Sequence, residues 1–157
     1  MKALLVRVRK VRKDDIDRIV DIERSWHHLS HWSIDSYYRL LNDDNFTSSF
    51  VAELDEEAGT AVVGFVIFHI AADSSEIYNI AVESGFARSG IGKHLMKAAI
   101  EESGKKRASR VVLEVRKSNN PAINFYLGFD FKIVGERKNY YSNPIEDAYV
   151  MEYEISR

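Results

Sequence analysis

The feature that most constrains the fold is a glycine-containing turn between a strand pattern and a helix pattern. The segment SEIYNIAVE alternates as a strand does, and it runs directly into GFARSGIGK at residues 85–93. The residues after this turn carry a helical apolar stripe of Ile91, Leu95, Ala98 and Ala99. Such a turn aims backbone N–H groups at an anion near a helix N-terminus. From this segment alone, an anion site and a plain strand-to-helix turn both remain open.

Two common phosphate-binding patterns do not fit this turn. Gly85 and Gly90 have the Walker A spacing, but Ile91 stands where that motif needs lysine. Gly90 and Gly92 begin a dinucleotide-binding pattern, but Leu95 replaces its third glycine. Anion binding stays open although neither motif matches, because a glycine turn at a helix N-terminus suits a pyrophosphate.

Composition limits the kind of protein and partner. A chain of 157 residues with 45% hydrophobic residues predicts a single domain over residues 1–157. A net charge of −2 gives no support to a nucleic-acid or membrane partner, which favours a small-molecule or protein substrate. Cysteine is absent, which excludes disulfides and fits a reducing compartment. The start of the chain resembles neither a signal peptide nor a membrane span, so we expect a cytoplasmic location.

The order of patterns along the chain predicts an α/β (α+β) fold. The chain reads as one strand, two helices, three strands, a helix, a strand, a helix and two strands. Asp14 precedes the first helical stripe, and Ser33 is the expected N-cap of a second helix ending near Asn42. Asn120 and Pro121 are the expected N-cap and first residue of a short last helix. This order predicts a mixed sheet with helices on its faces.

Two longer stretches carry a family resemblance. YNIAVESGFARSGIGKHLM, followed by LEVRKSNNPAINFYLGFDF, resembles the GNAT superfamily of acetyl-CoA-dependent N-acetyltransferases. The family loop reads Q/R-x-x-G-x-G/A, and Arg88 to Gly92 match it, whereas Ala87 departs from its first position. Together with IERSWHHLSHWSIDSYYRLL and RKNYYSNPIEDAYVM, these motifs are similar to RimI-like ribosomal-protein alanine N-acetyltransferases and related archaeal and eukaryotic N-terminal acetyltransferases.

The resemblance implies a GNAT-like fold and an acetyl-CoA site. The fold would be a mixed, mainly antiparallel sheet of about seven strands flanked by about four helices, as expected for the family. The pantetheine arm would lie along the strand that contains Ile80, Ala81 and Val82. The diphosphate would meet the turn, at Arg88, Ser89, Gly90, Ile91, Gly92 and Lys93. Asn119 matches a family asparagine that contacts the cofactor, and a helix cap is the structural alternative.

Catalysis requires an acceptor for the amine proton and a donor for the departing thiolate. Alternation in RVVLEVRK places Glu114 on the polar face of a strand, opposite Val111 and Leu113. The resemblance then implies Glu114 as general base and Tyr126 as general acid. Glu76 is a rival base, because it shares a strand face with the residues expected to contact pantetheine. A solvated Glu114 and a packing Tyr126 are the structural alternatives.

The resemblance also implies a substrate wall. Tyr140 and Tyr141, expected in a polar loop, would flank a substrate N-terminus, and Trp32 would lie on the opposite wall, with Glu76 close to the same site. A metal site is not expected, although His27, His28 and His31 form a histidine-rich segment, because no carboxylate completes a ligand set.

The resulting prediction is an enzyme that acetylates the N-terminal α-amine of proteins, by direct attack of the amine on acetyl-CoA in a ternary complex. Protein or peptide N-termini are the expected partners, with ribosomal proteins or nascent chains as candidates. Two alternatives stay open: a lysine or small-amine acetyltransferase, and an acyl-CoA-binding module without turnover.

Overall fold

The chain forms four helices and seven strands in a computed structural model that describes residues 5–26, 34–42, 48–57 and 59–156. The helices are α1 (Ile16–Arg24), α2 (Ile34–Asn42), α3 (Ile91–Lys105) and α4 (Asn120–Gly128). The strands are β1 (Val6–Lys10), β2 (Phe50–Glu56), β3 (Gly59–Ala71), β4 (Ser74–Val82), β5 (Arg110–Arg116), β6 (Lys132–Tyr141) and β7 (Glu146–Glu154). The predicted element order is confirmed.

All seven strands belong to one sheet in the order β1-β2-β3-β4-β5-β7-β6. The pairings β1–β2, β2–β3, β5–β7 and β6–β7 are antiparallel, whereas β4 and β5 pair in parallel. The expected α/β class, with a mainly antiparallel sheet of seven strands and four helices, is therefore confirmed. The parallel pairing runs from Ser74 opposite Arg110 to Glu76 opposite Val112, which covers three of the nine residues of β4.

The chain divides into two compact units, and the first draws on Met1–His69 and Tyr78–Glu102. The core of this unit joins one face of α1 to α2 and the sheet, through Ile16, Ile19, Val20, Ile22, Tyr37, Val51, Phe65, Ile67 and Ala81. The stripe on α1 follows the 3.6-residue period that the sequence shows, so its apolar face is removed from water. Burial of each large aliphatic side chain contributes about 1.5–3 kcal/mol.

A buried carboxylate interrupts this core. Glu23 is 0% exposed and accepts a hydrogen bond from the hydroxyl of Tyr37. The amide of Asn79 donates to the same hydroxyl at 3.2 Å. Because burying a charge or a hydroxyl without partners is costly, this network fixes α1, α2 and β4 to one another.

The second unit draws on Ile70–Ile77 and Ser103–Arg157. Its buried apolar residues lie on β5, α4 and β7 and just before β6: Val111, Leu113, Val115, Ile123, Tyr126, Phe131, Ala148 and Met151. The Phe131 ring lies 5.8 Å from the Tyr126 ring and 5.5 Å from the Tyr153 ring, between centroids. Aromatic packing therefore sets the position of α4 within this unit. The single-domain organisation stays a prediction.

Within the described ranges, none of the helices combines the length and the apolar character that a membrane crossing requires.

Candidate active site

The turn between β4 and α3 has an unusual backbone. Ser84–Phe86 form a 3-10 turn, and the Ser89 hydroxyl donates to the carbonyl of Phe86. Arg88 and Gly90 both have left-handed backbone conformations, with φ of 63° and 89°. Glycine adopts this conformation without strain, whereas arginine adopts it at a cost of about 1–2 kcal/mol. The turn is thus bent by two left-handed residues immediately before α3.

The N-terminus of α3 presents backbone donors beside this turn. The first helical hydrogen bond joins the His94 N–H to the Gly90 carbonyl at 3.2 Å. The N–H groups of Ile91, Gly92 and Lys93 therefore have no acceptor within the helix. A Cβ atom added at Gly90 would meet nothing within 4 Å, so the space over the turn is open. Donors, helix dipole and open space together suit an anion.

The side chains of Arg88 and Lys93 are exposed at the same turn. Neither forms an ion pair with any residue in the part of the chain that the structure describes. Ala87, the departure from the family loop, is exposed and has an extended backbone, with φ of −59° and ψ of 146°. The positive charge at this turn is therefore supplied by Arg88 and Lys93, which follow Ala87.

Strand β4 shows the predicted alternation. Its buried residues are Ser75, Ile77 and Ala81, whereas Glu76, Tyr78, Ile80 and Val82 are all half-buried. In an extended strand these two sets point to opposite faces. Ile80 and Val82 therefore share one face of the strand with the rival base Glu76.

One main-chain group of β4 is already engaged. The indole N–H of Trp26, two residues beyond the end of α1, donates to the Val82 carbonyl at 2.7 Å. The N–H of the next residue, Glu83, donates in the opposite direction, to the carbonyl of Val63 in β3 at 2.8 Å. Since consecutive residues in a strand direct their backbone groups to opposite edges, Val82 directs its own away from β3. Its carbonyl keeps one further lone pair for another donor.

Glu114 lies on the polar face of β5, as its pattern predicts. Val111, Leu113 and Val115 are at most 5% exposed, and the Glu114 side chain is 12% exposed. Oε1 accepts a hydrogen bond from Arg137 Nε at 3.0 Å, and Oε2 accepts one from the Tyr140 hydroxyl at 3.2 Å. Both oxygens of the carboxylate are thus oriented by donors from β6.

Tyr140 and Tyr141 differ from the prediction in their setting. They end the strand β6 instead of lying in a loop, and the turn to β7 is only Ser142–Ile145. Their rings meet edge to face, 5.0 Å apart between centroids. Burial raises the pKa of Tyr140, with further contributions from the Glu114 and Glu76 carboxylates, and burial raises the pKa of Tyr141 to about 12. Both hydroxyls therefore keep their protons at neutral pH.

Arg116 holds the turn that follows Tyr141. Its guanidinium donates to the carbonyls of Ser142 and Pro144, both at 3.1 Å, and to Glu146 Oε1 at 3.3 Å. The central carbon of the Arg116 guanidinium lies 4.4 Å from the centre of the Tyr141 ring. Arg137 similarly lies over Tyr140, at 5.9 Å. Each tyrosine ring is thus covered by an arginine of this chain.

Tyr126 lies on the buried face of α4. Its side chain is 9% exposed and contacts the rings of Phe125 and Phe131. Burial raises the pKa of Tyr126 well above its ordinary value, and the ionised form of Tyr141 would raise it further. None of the residues that the structure describes forms a hydrogen bond with its hydroxyl, and this oxygen is not among the fully buried atoms without a partner. The hydroxyl is therefore free to donate to a ligand.

Asn119 is a helix cap in this structure. Its Oδ1 accepts a hydrogen bond from the Ala122 N–H at 3.3 Å, and α4 begins at Asn120. The prediction that Asn120 is the N-cap is therefore wrong by one residue. Pro121 tolerates this shift, since a proline in the first turn of a helix gives up no intrahelical bond. The cap leaves the Asn119 amide nitrogen available for a cofactor contact, which stays a prediction.

Three predicted features lie outside the described residues. These are Trp32, the histidine-rich segment with His27, His28 and His31, and the expected N-cap Ser33. Among the residues that the structure does describe, no group of three or more histidine, aspartate and glutamate side chains is arranged to hold a metal ion.

Sequence reasoning assigned no role to Arg116 or Arg137, which contact Tyr141 and Glu114 respectively. Alternation in β5 does place Arg116 on the face of Glu114, but it does not indicate the contact with Tyr141. No local pattern points to Arg137, because β7 lies between β6 and β5 in the sheet and the contact is formed only in the folded chain.

Residues 15–129 match the family model of the acetyltransferase (GNAT) family. The chain belongs to this family. A provisionally named [ribosomal protein bS18]-alanine N-acetyltransferase of Bacillus subtilis is 36% identical over 144 residues, covering 92% of both chains. An N-alpha-acetyltransferase of Sulfurisphaera tokodaii is 33% identical over 160 aligned positions, covering 92% of this chain and 90% of the relative. The crystal structure of Arabidopsis thaliana NAA60 with acetyl-CoA has the same fold, with a TM-score of 0.83, 22% identity and coverage of 96% and 100%.

Proposed function

We propose that this chain transfers an acetyl group from acetyl-CoA to the N-terminal α-amine of proteins. Family membership makes it an acetyltransferase, and relatives that share over 30% identity are named for N-terminal or ribosomal-protein alanine acetylation. The observation that carries the proposal is the Glu114 carboxylate, held by Arg137 and Tyr140 in the same unit as the free hydroxyl of Tyr126. A proton acceptor and a proton donor are the groups that amine acetylation requires.

The turn before α3 fits the diphosphate of acetyl-CoA. The free N–H groups of Ile91, Gly92 and Lys93 and the open space over Gly90 would receive it, with charge from Arg88 and Lys93. The main-chain groups of Ile80, Ala81 and Val82, with the Asn119 amide, are the proposed contacts for the rest of the cofactor. Trp26 then shares the Val82 carbonyl with any cofactor donor. Acetyl-CoA supplies the acetyl thioester that the amine attacks.

Glu114 and Tyr126 divide the proton transfers between them. Glu114 accepts the proton of the attacking amine, directly or through a water molecule, and its two oxygens are oriented for this by Arg137 and Tyr140. Tyr126 donates a proton, or a strong hydrogen bond, to the departing sulfur. Glu76 remains the alternative base, because it lies on the face of β4 that carries Ile80 and Val82.

Reference pKa values indicate the free-energy cost of each proton transfer. An α-amine has a pKa of about 7.7–8.0, so about a tenth is already neutral at pH 7, and a weak base is sufficient. A tyrosine of ordinary pKa near 10 is about 2 kcal/mol too weak an acid to protonate a thiolate of pKa about 8.5. Burial raises the pKa of Tyr126 further, so this transfer is the more expensive of the two.

The proposal extends to the setting of the enzyme. Its substrates are protein N-termini, with ribosomal proteins or nascent chains as candidates, and it works in the cytoplasm as a single domain over residues 1–157. Direct transfer in a ternary complex fits a chain that contains no cysteine to carry the acetyl group.

Mass spectrometry of a peptide library after incubation with acetyl-CoA tests this function. The library varies the first two residues and includes N-terminally blocked peptides with an internal lysine, and free polyamines form a second panel. We expect acetylation at α-amines and none on blocked peptides. Transfer to lysine or polyamines alone would replace the proposal with the small-amine alternative, and cofactor binding without any transfer would indicate a silent module.

Replacing Gly90 with alanine is expected to weaken acetyl-CoA binding about tenfold, equivalent to about 1.4 kcal/mol. With φ of 89°, an alanine is strained even though its Cβ would meet no atom within 4 Å, so the turn relaxes and its N–H groups move. Titration calorimetry measures the change. Gly85→Ala is the matched control, since Gly85 has equally open space and no left-handed φ. Equal affinity in both variants would remove the turn from the cofactor site.

A further inference from the structure

We infer that Asp147 is a positioning residue for the reaction, because it fixes a bulge in β6 that brings Tyr140 onto Glu114. The inference rests on the proposed function, in which Glu114 takes part in acetyl transfer. Asp147 itself does not contact Glu114, so it acts only through the backbone of β6 and the Tyr140 side chain.

The bulge follows from the pairing of β6 with β7. Arg137 lies opposite Ala148, and the next pair beyond the irregularity is Tyr141 opposite Glu146. The three residues between Arg137 and Tyr141 in β6 therefore lie opposite the single residue Asp147 in β7, so β6 contains two extra residues. Bulges bend a strand and redirect its side chains, and they are frequent beside active sites.

Asp147 holds this bulge from the opposite strand. Within it, Asn139 has a left-handed backbone with φ of 52°, a conformation that asparagine tolerates better than most residues. Its N–H donates to Asp147 Oδ1 at 2.8 Å. Asp147 is fixed in turn, since its carbonyl accepts a hydrogen bond from the Lys117 N–H at 3.2 Å and its Oδ2 lies 3.8 Å from Lys117 Nζ. The bulge is thus tied to the end of β5.

The bulge changes where Tyr140 points. In a regular strand Tyr140 and Tyr141 would project to opposite faces, but their rings touch at 5.0 Å. The Tyr140 hydroxyl reaches across β7 to donate to Glu114 Oε2 on β5 at 3.2 Å. A regular β6 would not deliver both rings to this side of the sheet.

The hydrogen bond from Tyr140 orients the carboxylate for its role. Glu114 must accept one proton from the amine as the nitrogen–carbon bond forms, and Tyr140 keeps its own proton throughout. With Oε1 bonded by Arg137 and Oε2 by Tyr140, the carboxylate plane is set by two donors. Without Asp147 the bulge in β6 relaxes, and Tyr140 no longer holds the Glu114 carboxylate by its hydrogen bond. Misplacement of a reacting group lowers the rate.

Steady-state kinetics on the full chain test the inference, with kcat and KM measured for the best peptide and for acetyl-CoA. Asp147→Ala is expected to lower kcat/KM for the peptide about tenfold, with the KM for acetyl-CoA unchanged. Asp147→Asn is expected to restore activity to within about twofold, because an amide oxygen still accepts from Asn139. In a Tyr140→Phe background, Asp147→Ala is expected to cost nothing further, since both act on one contact.

Three outcomes would overturn the inference: full activity in Asp147→Ala, a loss in Asp147→Asn as large as in Asp147→Ala, or losses that multiply in the double variant. If Asp147→Ala does not fold, Asn139→Val and Asn139→Gly replace it. Valine resists the left-handed backbone and should lose activity, and glycine should keep it. A wild-type chain inactive on every peptide would instead refute the proposed function, and this inference with it.

Discussion

Glu114→Gln is expected to lower kcat by about two orders of magnitude while leaving the KM for acetyl-CoA unchanged. Glutamine keeps the shape of the side chain and still offers one acceptor to Arg137 or Tyr140, but it cannot take a proton. The loss should shrink above about pH 8, because the substrate α-amine then releases its proton to water unaided. Stopped assays of peptide acetylation between pH 6 and 9 measure both effects.

Two controls make this result specific. Glu152→Gln removes a carboxylate from β7 in the same unit, 4.0 Å from Arg110 and away from Tyr140, and should leave kcat unchanged. Glu76→Gln tests the rival base. A larger loss in Glu76→Gln than in Glu114→Gln would transfer the role of base to Glu76.

Tyr126→Phe is expected to lower kcat by about 10- to 100-fold without lowering the temperature of unfolding. The hydroxyl forms no hydrogen bond with any described residue, so its removal leaves no partner unsatisfied, and the ring still packs on Phe131. Because burial holds the pKa of Tyr126 above its ordinary value, the wild-type tyrosine stays protonated up to about pH 10. Below that pH, kcat should therefore show no decline caused by its ionisation.

Tyr153→Phe is the matched control for this variant. Its ring also contacts Phe131, 5.5 Å away between centroids, and Tyr153 has no part in the proposed proton transfers. If Tyr126→Phe and Tyr153→Phe reduce kcat equally, or if Tyr126→Phe unfolds at a lower temperature in scanning calorimetry, Tyr126 is a packing residue and another group must protonate the thiolate.

Periodicity predicted the elements that have one buried and one polar face. In β5, alternation alone placed Glu114 opposite Leu113, and burial in the structure follows that alternation. In α1 the helical period also placed Glu23 on the face of Ile16 and Ile19, although the pattern did not show that Tyr37 would be its partner. Patterns of this kind indicate which face of an element meets the core, because burial of apolar side chains is what produces the alternation and the helical stripe.

The sequence could not predict the end of β6. The run of polar residues around Tyr140 is typical of a loop, whereas the structure continues the strand through a bulge. The end of this strand is stabilised by hydrogen bonds to Asp147 on β7 and to Glu114 on β5. Contacts between strands of this kind leave no local pattern in the sequence. The N-cap of α4 was predicted one residue late, at Asn120, with a cap at Asn119 as the alternative, because two adjacent asparagines are equally good N-caps and only the backbone selects between them.

The arginines stacked on Tyr140 and Tyr141 bear on which amines this enzyme can hold. A pair of tyrosines beside carboxylates would otherwise form an aromatic cage, the usual receptor for lysine side chains and polyamines. Arg116 and Arg137 already occupy a face of each ring, at 4.4 and 5.9 Å. A polycation approaching these rings therefore meets fixed positive charge where a cage would offer π-electron density. As the proposed substrate wall, the tyrosines would contribute neutral hydroxyls and ring edges, which would disfavour polyamines and suit a peptide backbone with a single amine at its end.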